Sequence, residues 1–202
     1  MSRCGSVSVT DRQTQILEAA VRLVARRGVR GLRIEELARE AGVSQGLIYY
    51  HFGDRAGLLQ QTFAFVNARA GDYTERATVN GATPDAQLEL KLLLELQNDP
   101  QVIENSTAWG ELRASAKFEP DLQQALRDST ADWVGEIAGA LELARGSRRA
   151  RPKADALAAA ERLTSLVEGL SDRWLSGSMR LNRAQRLLRD AVALELSHIK
   201  RT

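Results

Sequence analysis

The sequence predicts an all-α fold, and three observations carry that expectation. Apolar residues return every three or four positions through one segment after another, the spacing of a helix face rather than of a strand. Ala, Leu, Glu and Arg dominate those segments, and all four are strong helix formers. Gly and Pro, 15 and 4 of the 202 residues, are sparse inside them. About nine helical segments can be drawn, grouped as a loose tail (1–9), a three-helix head (10–53) and a helical-bundle body (54–202).

The first helix opens at Thr10, where Thr10 and Gln13 form a capping-box pattern. Ile16, Ala20, Leu23 and Val24 make its inner face, and Gly28 closes it. Ile34, Leu37, Ala38 and Ala41 describe a short second helix, closed by Gly42. Ser44 caps a third, from Leu47 to Phe52, whose buried stripe is Ile48 and Phe52 with Val43 beside them. Asp54 caps a fourth helix through Leu58, Leu59, Phe63 and Val66 to about Thr78. Asp85 to Gln97 is a strongly apolar helix, broken by Asn98-Asp99-Pro100. Trp109, Leu112 and Ala116 mark the next, and Pro120 opens another that ends at Gly146. Arg145 to Lys153 reads as a basic, solvated connector. Helices from about Ala154 to Leu175 and from about Arg183 to Ile199 finish the chain. Both are apolar over more than one stripe, which suggests packing on a second copy through Leu163, Val167, Leu170, Trp174, Leu188, Val192 and Leu196.

Two short helices joined by Gly42-Val43-Ser44 have the form of a helix-turn-helix, whose second helix enters the DNA major groove. With Ile48 and Phe52 inward, Gln45, Gly46, Tyr49, Tyr50 and His51 are left to face outward. Gln can bridge adenine, tyrosine hydroxyls can reach phosphates, and Gly46 permits close backbone approach. A helical hairpin with a merely polar outer face fits the same spacing. The stretch VSQGLIYYHFGDRAGLL resembles the DNA-binding signature of the tetracycline-repressor (TetR) family, with Tyr49, Tyr50, His51, Phe52, Arg55 and Leu58 in the places of its pattern. The match is specific over roughly Thr10 to Phe63 and architectural beyond. Leu32 and Arg33 stand where the family often has a Thr pair, and Arg55 where Lys is more usual, which alters donor geometry. The resemblance implies DNA contacts from Arg33, Ser44, Gln45, Gly46, Leu47, Tyr49, Tyr50, His51 and Arg55. For Arg55, a positive charge at a helix start also suggests a negative partner such as phosphate.

Bulk properties restrict the alternatives. Residues 1–55 hold nine Arg against six acids, net +3, while the whole chain is +2, so charge alone argues weakly for DNA. A single cysteine, Cys4, excludes a disulfide within one chain and fits a reducing cytoplasm. No apolar run is long enough to span a membrane. With two histidines and no recognisable catalytic or nucleotide motif, neither an enzyme nor a cofactor is expected.

Aromatic residues Phe63, Trp109, Phe118, Trp133 and Trp174 are spread over several body helices, with Asn67, Glu104, Asn105, Glu111 and Arg113 close by in sequence. They form either an ordinary core or a pocket for a small molecule, which in the family is an inducer. The expected ligand set is Phe63, Asn67, Trp109, Leu112, Arg113 and Trp133, with at most one of Glu111 and Arg113 facing inward. The implied function is a dimeric, ligand-released repressor of a palindromic operator. A ligand-independent or activating DNA-binding regulator is the alternative, and a helical enzyme is the rival of another class.

Overall fold

The computed structural model describes residues 9–75, 82–146 and 153–201. Among them are nine helices and no strand: α1 (Val9–Gly31), α2 (Ile34–Ala41), α3 (Gln45–Phe52), α4 (Arg55–Glu75), α5 (Pro84–Leu93), α6 (Pro100–Ser115), α7 (Pro120–Ala144), α8 (Ala154–Leu175) and α9 (Leu181–Ile199).

The head forms as its local signals require. Gly42 takes the left-handed conformation (φ 63°) that closes α2, and its N–H returns to the carbonyls of Ala38 and Arg39. Ser44 caps α3 by accepting from the Leu47 N–H at 3.2 Å. Ile48 and Phe52 are buried, with Val43 packed against the same core. Ion pairs from Arg22 and Arg26 to Glu40, and from Arg27 to Glu36, tie α1 to α2.

Two apolar cores run through the molecule. The first joins α1 to α4 with Ala108 and Leu112 of α6, Ala116 just past its end, and Leu122 of α7. Small residues let α6 lie close along α1, which gives the three-helix head the support its own small core needs. Packing is therefore continuous across residues 53 and 54. At Gly28, φ is 69° and ψ 170°, so the helical path breaks there and α1 continues for one more turn. That positive φ calls for glycine; a Cβ there would lie 2.6 Å from Glu111 Oε2, the end of an exposed side chain that can move aside. The second core gathers Leu88, Leu92 and Leu96 with residues of α7, α8 and α9. Gln185 Nε2 donates to the Leu96 carbonyl at 2.7 Å and ties α9 to the segment that follows α5.

Several boundaries differ from expectation. The cap expected of Thr10 lies outside the described side chains, and Gln13 donates to Gln61 of α4 at 2.7 Å. Residue 78, the expected end of α4, also lies outside them. α5 stops at Leu93, short of Gln97, and Leu96 turns back to bond the Leu93 carbonyl at 2.9 Å. α9 begins at Leu181, before Arg183. In the basic connector, residues 147–152 are outside the described part. Arg145 is not solvated as expected: it bonds the Ile199 carbonyl at 3.0 Å and pairs with Glu142 and Asp155.

Candidate nucleic-acid interface and body cavity

The outer face of α3 follows from its inner one. With Ile48 and Phe52 inward, Tyr49 and Tyr50 are 48 % and 78 % exposed, a high value for tyrosine and one that leaves both hydroxyls accessible. Ser44, Gln45 and Gly46 are exposed, and Leu47 and His51 are half-buried. His51 meets the Tyr50 ring edge-on at 5.3 Å between centroids. Among the described residues, a Cβ at Gly46 would meet Ser44 Oγ alone, at 3.9 Å, so the backbone there is open to close approach. Arg33 is exposed at the start of α2 and makes no side-chain cap, in keeping with the loss of a capping Thr.

Arg55 departs from its expected role. Its Nη1 donates to Glu119 Oε1 at 3.1 Å and its Nη2 to the Val29 carbonyl at 2.9 Å. The charge opposing the α4 dipole thus has its partner inside the chain, and no phosphate is needed to account for it. Arg55 ties the end of α1 and the start of α7 to the start of α4.

Between α4, α6, α7 and α8 lies a cavity of about 60 Å³, lined by Val66, Asn67, Ala70, Tyr73, Glu95, Asn105, Ser106, Trp109, Trp133, Val167, Glu168 and Ser171. Three expected ligand residues, Asn67, Trp109 and Trp133, line it. Three do not. Phe63 is buried behind Trp109, ring centroids 4.6 Å apart, Leu112 faces the first core, and Arg113 stands outside beside Glu168. Neither Glu111, which is exposed, nor Arg113, which is half-buried, faces the cavity, within the expectation that at most one of them looks inward.

The lining is aromatic and acidic, and among the described residues it includes no Lys or Arg. Tyr73 donates to Glu95 Oε2 at 2.7 Å. Burial raises the Glu95 carboxyl to about 7, helped by nearby Glu136 and opposed by the Tyr73 bond and Lys91. Burial and Glu95 push the Tyr73 hydroxyl well above its ordinary range, so it remains a donor. Glu168 is raised too, again by burial, with Arg113 opposing. Asn105 Nδ2 donates to the Val66 carbonyl at 3.1 Å, while its buried Oδ1 has no partner. That orphan acceptor suits a ligand donor. Tyr73, Glu95 and Glu168 were not anticipated from the sequence. The available signal was an acid inside an apolar run, as with Glu95 between Leu94 and Leu96.

Two family patterns cover most of the chain. Residues 16–62 match Bacterial regulatory proteins, tetR family, and residues 84–197 match BetI-type transcriptional repressor, C-terminal. The chain belongs to the TetR family. The crystal structure reported for a TetR-family transcriptional regulator from Rhodococcus sp. is 41 % identical and superposes with a TM-score of 0.84, covering 93 % of this chain and 99 % of that one. A regulator from Saccharomonospora viridis, solved in complex with choline, is 24 % identical with a TM-score of 0.77, over 91 % and 96 % of the two chains. The transcriptional regulator BetI of Cronobacter sakazakii is 27 % identical over 83 % of this chain and 80 % of its own. As a TetR-family member the protein is a transcriptional regulator with a helix-turn-helix DNA-binding head and a ligand-binding C-terminal region, and not an enzyme. No helix among the described residues is long and apolar enough to cross a membrane.

Within this TetR-family chain the residues expected to meet a second copy are already occupied. Leu163, Val167, Leu170, Leu188, Val192 and Leu196 are all buried in the second core, and Trp174 packs against it. The wide apolar surface of α8 and α9 reflects their contacts with α7, α5 and each other. The same helices expose Leu157 and Leu194, the latter 70 % accessible, with Leu166, Leu187 and Ala191 half-buried.

Proposed function

We propose that the protein represses transcription as a homodimer on a palindromic operator and is released when a small organic cation enters the body cavity. The observation that carries the effector class is the cavity lining: Trp109, Trp133 and Tyr73 around Glu95 and Glu168. Indole and phenol faces attract a cation, most strongly when it is desolvated. Two half-buried carboxyls without a basic neighbour in the lining favour a positive ligand, and Asn105 Oδ1 can take a hydroxyl or N–H from it. The choline complex of the Saccharomonospora viridis regulator supports this class. For dimerisation the exposed Leu157 and Leu194 of α8 and α9 are the surface of choice. Two α3 helices would then read successive major grooves, about 34–36 Å apart in the simplest case. A cation that favours another spacing lowers DNA affinity, and DNA lowers cation affinity equally. A regulator of this kind works in the cytoplasm, and it needs no cofactor.

The test is operator release by choline, used as the probe cation on DNA fragments selected from the source genome. Choline is expected to lower operator affinity and raise the melting temperature over one concentration range, more effectively at pH 8 than at pH 6. The sign follows from Glu95. With a folded value near 7 against 4.5 unfolded, it adds stability below pH 4.5 that is lost as pH rises through 7. Above 7 the carboxylate is ionised and free to meet the cation, whereas below 7 a proton must first leave. A choline response that weakened from pH 6 to pH 8 would refute the role given to Glu95, and the absence of any choline effect would refute the effector class.

On the head, Tyr49→Phe is expected to weaken operator binding by about 1.5–3 kcal/mol, the worth of a hydroxyl bond to a charged phosphate. Its melting temperature should not change, because the side chain lies on the exposed face of α3. Unchanged affinity at fixed salt would show that the hydroxyl makes no such bond.

A further inference from the structure

Arg113 and Glu168 mark a place where the molecule already holds a cation of its own. Glu168 lines the cavity on one side and, on the other, an open cleft between α6 and α8 that also contains Arg113 and Asp172. Arg113 Nη1 stands 3.7 Å from Glu168 Oε2. That is beyond the roughly 2.7–2.9 Å of a charge-assisted hydrogen bond, so the pair is a loose contact of charges. Arg113 Nε is buried and makes no hydrogen bond, so the guanidinium leaves a donor unused in this position. Asp172 follows Glu168 by one turn of α8, is exposed, and lines the same cleft. The guanidinium therefore has one carboxylate at the cavity wall and a second along the helix, further from it.

We propose that Arg113 is a tethered competitor for Glu168: it holds this carboxylate while the cavity is empty and moves toward Asp172 when a cationic effector takes its place. The inference rests on the organic-cation reading of the cavity. It assigns Arg113 and Asp172 to ligand selection although neither lines the cavity. A neutral molecule of the same shape gains nothing from the exchange and cannot displace a charge, so the arrangement selects for a positive ligand. An effector cation that reaches Glu168 meets a carboxylate kept partly neutralised by Arg113, which costs affinity and adds specificity.

Calorimetric titration at pH 8 of the full-length protein with choline and with its uncharged isostere 3,3-dimethylbutan-1-ol tests this. Arg113→Gln is expected to bind choline about tenfold more tightly, an effect of the order seen for close charge pairs, and to leave the neutral isostere unchanged. Arg113→Lys, which keeps the charge, should bind choline like the parent. Asp172→Asn, a change at an exposed position, should weaken choline binding about threefold in the parent but have no effect beside Arg113→Gln, a coupling that a purely structural role would not produce. Choline binding that is unchanged or weaker in Arg113→Gln, or equal gains for choline and the isostere, would overturn the proposal. Should Arg113→Gln fail to fold, Asp172→Asn decides alone, and choline binding equal to the parent's would overturn it. Absence of choline binding in both the parent and Arg113→Gln would overturn the organic-cation reading as well, whereas binding indifferent to all three variants would overturn only the competitor.

Discussion

Replacing Leu188 with Glu is expected to unfold the body, while the same change at Leu194, six residues further along α9, should leave it folded and split the proposed homodimer. Leu188 is fully buried in the second core, among residues such as Leu163, Val167 and Val192. Truncation of such a leucine to Ala costs about 2–5 kcal/mol. A carboxylate there adds the larger cost of an unpaired buried charge. With total stabilities of about 5–15 kcal/mol, that is enough to lose cooperative folding. Leu194 is 70 % exposed and contributes to neither core. A Glu at 194 meets water in the single chain and an apolar partner in the dimer, so its penalty falls on association alone. Circular dichroism and light scattering separate the two outcomes, and the Leu194→Glu monomer should lose operator affinity because one head can no longer hold the other near its half-site. A Leu194→Glu protein that stayed dimeric would place the interface elsewhere, and a natively folded Leu188→Glu would contradict the packing.

The contrast between these two leucines also shows where the sequence was legible. The turn between α2 and α3 is written in neighbouring residues: a glycine in the left-handed conformation, a serine two positions later, and apolar residues four apart. Each acts within one helical turn, so periodicity and capping suffice to read it. The apolar stripes of α8 and α9 were legible too, but not what covers them, because α5 and α7 fill space that pattern alone allots equally well to a second copy. The end of α5 was obscure for a related reason. Leu94 and Leu96 prolong the apolar pattern, and the helix stops without glycine or proline because Leu96 turns into the second core. At the cavity, the tryptophans stood out by size, whereas Tyr73, Glu95 and Glu168 are brought together only by the crossing of helices far apart in sequence. Arg55 shows the opposite limit: its need for a negative partner was readable, but the partner is Glu119, 64 positions away.

Trp109→Ala should remove the response to the effector and also destabilise the fold, because this ring faces both the cavity and the head's core. One side lines the cavity with Trp133, and the other lies against Phe63, which is fully buried among residues of α1, α4 and α6. Truncation leaves a void beside Phe63, and large aromatic-to-alanine changes in cores cost about 3–5 kcal/mol. A value near the lower end is expected, since Trp109 is only partly buried. Trp133→Ala separates the two roles. That residue lines the same cavity but packs against the second core, away from the head. It should weaken choline binding by the worth of one cation–aromatic contact, about 0.5–2 kcal/mol, while operator affinity without effector stays at the parent level. In Trp109→Ala the enlarged cavity is expected to lose both the aromatic face and the contact through which its occupancy reaches Phe63. Choline should then fail to release the operator even at concentrations that saturate Trp133→Ala. Operator titrations with and without choline, read beside thermal melts of both variants, decide the matter. Normal release of Trp109→Ala by choline would show that the signal leaves the cavity by another route.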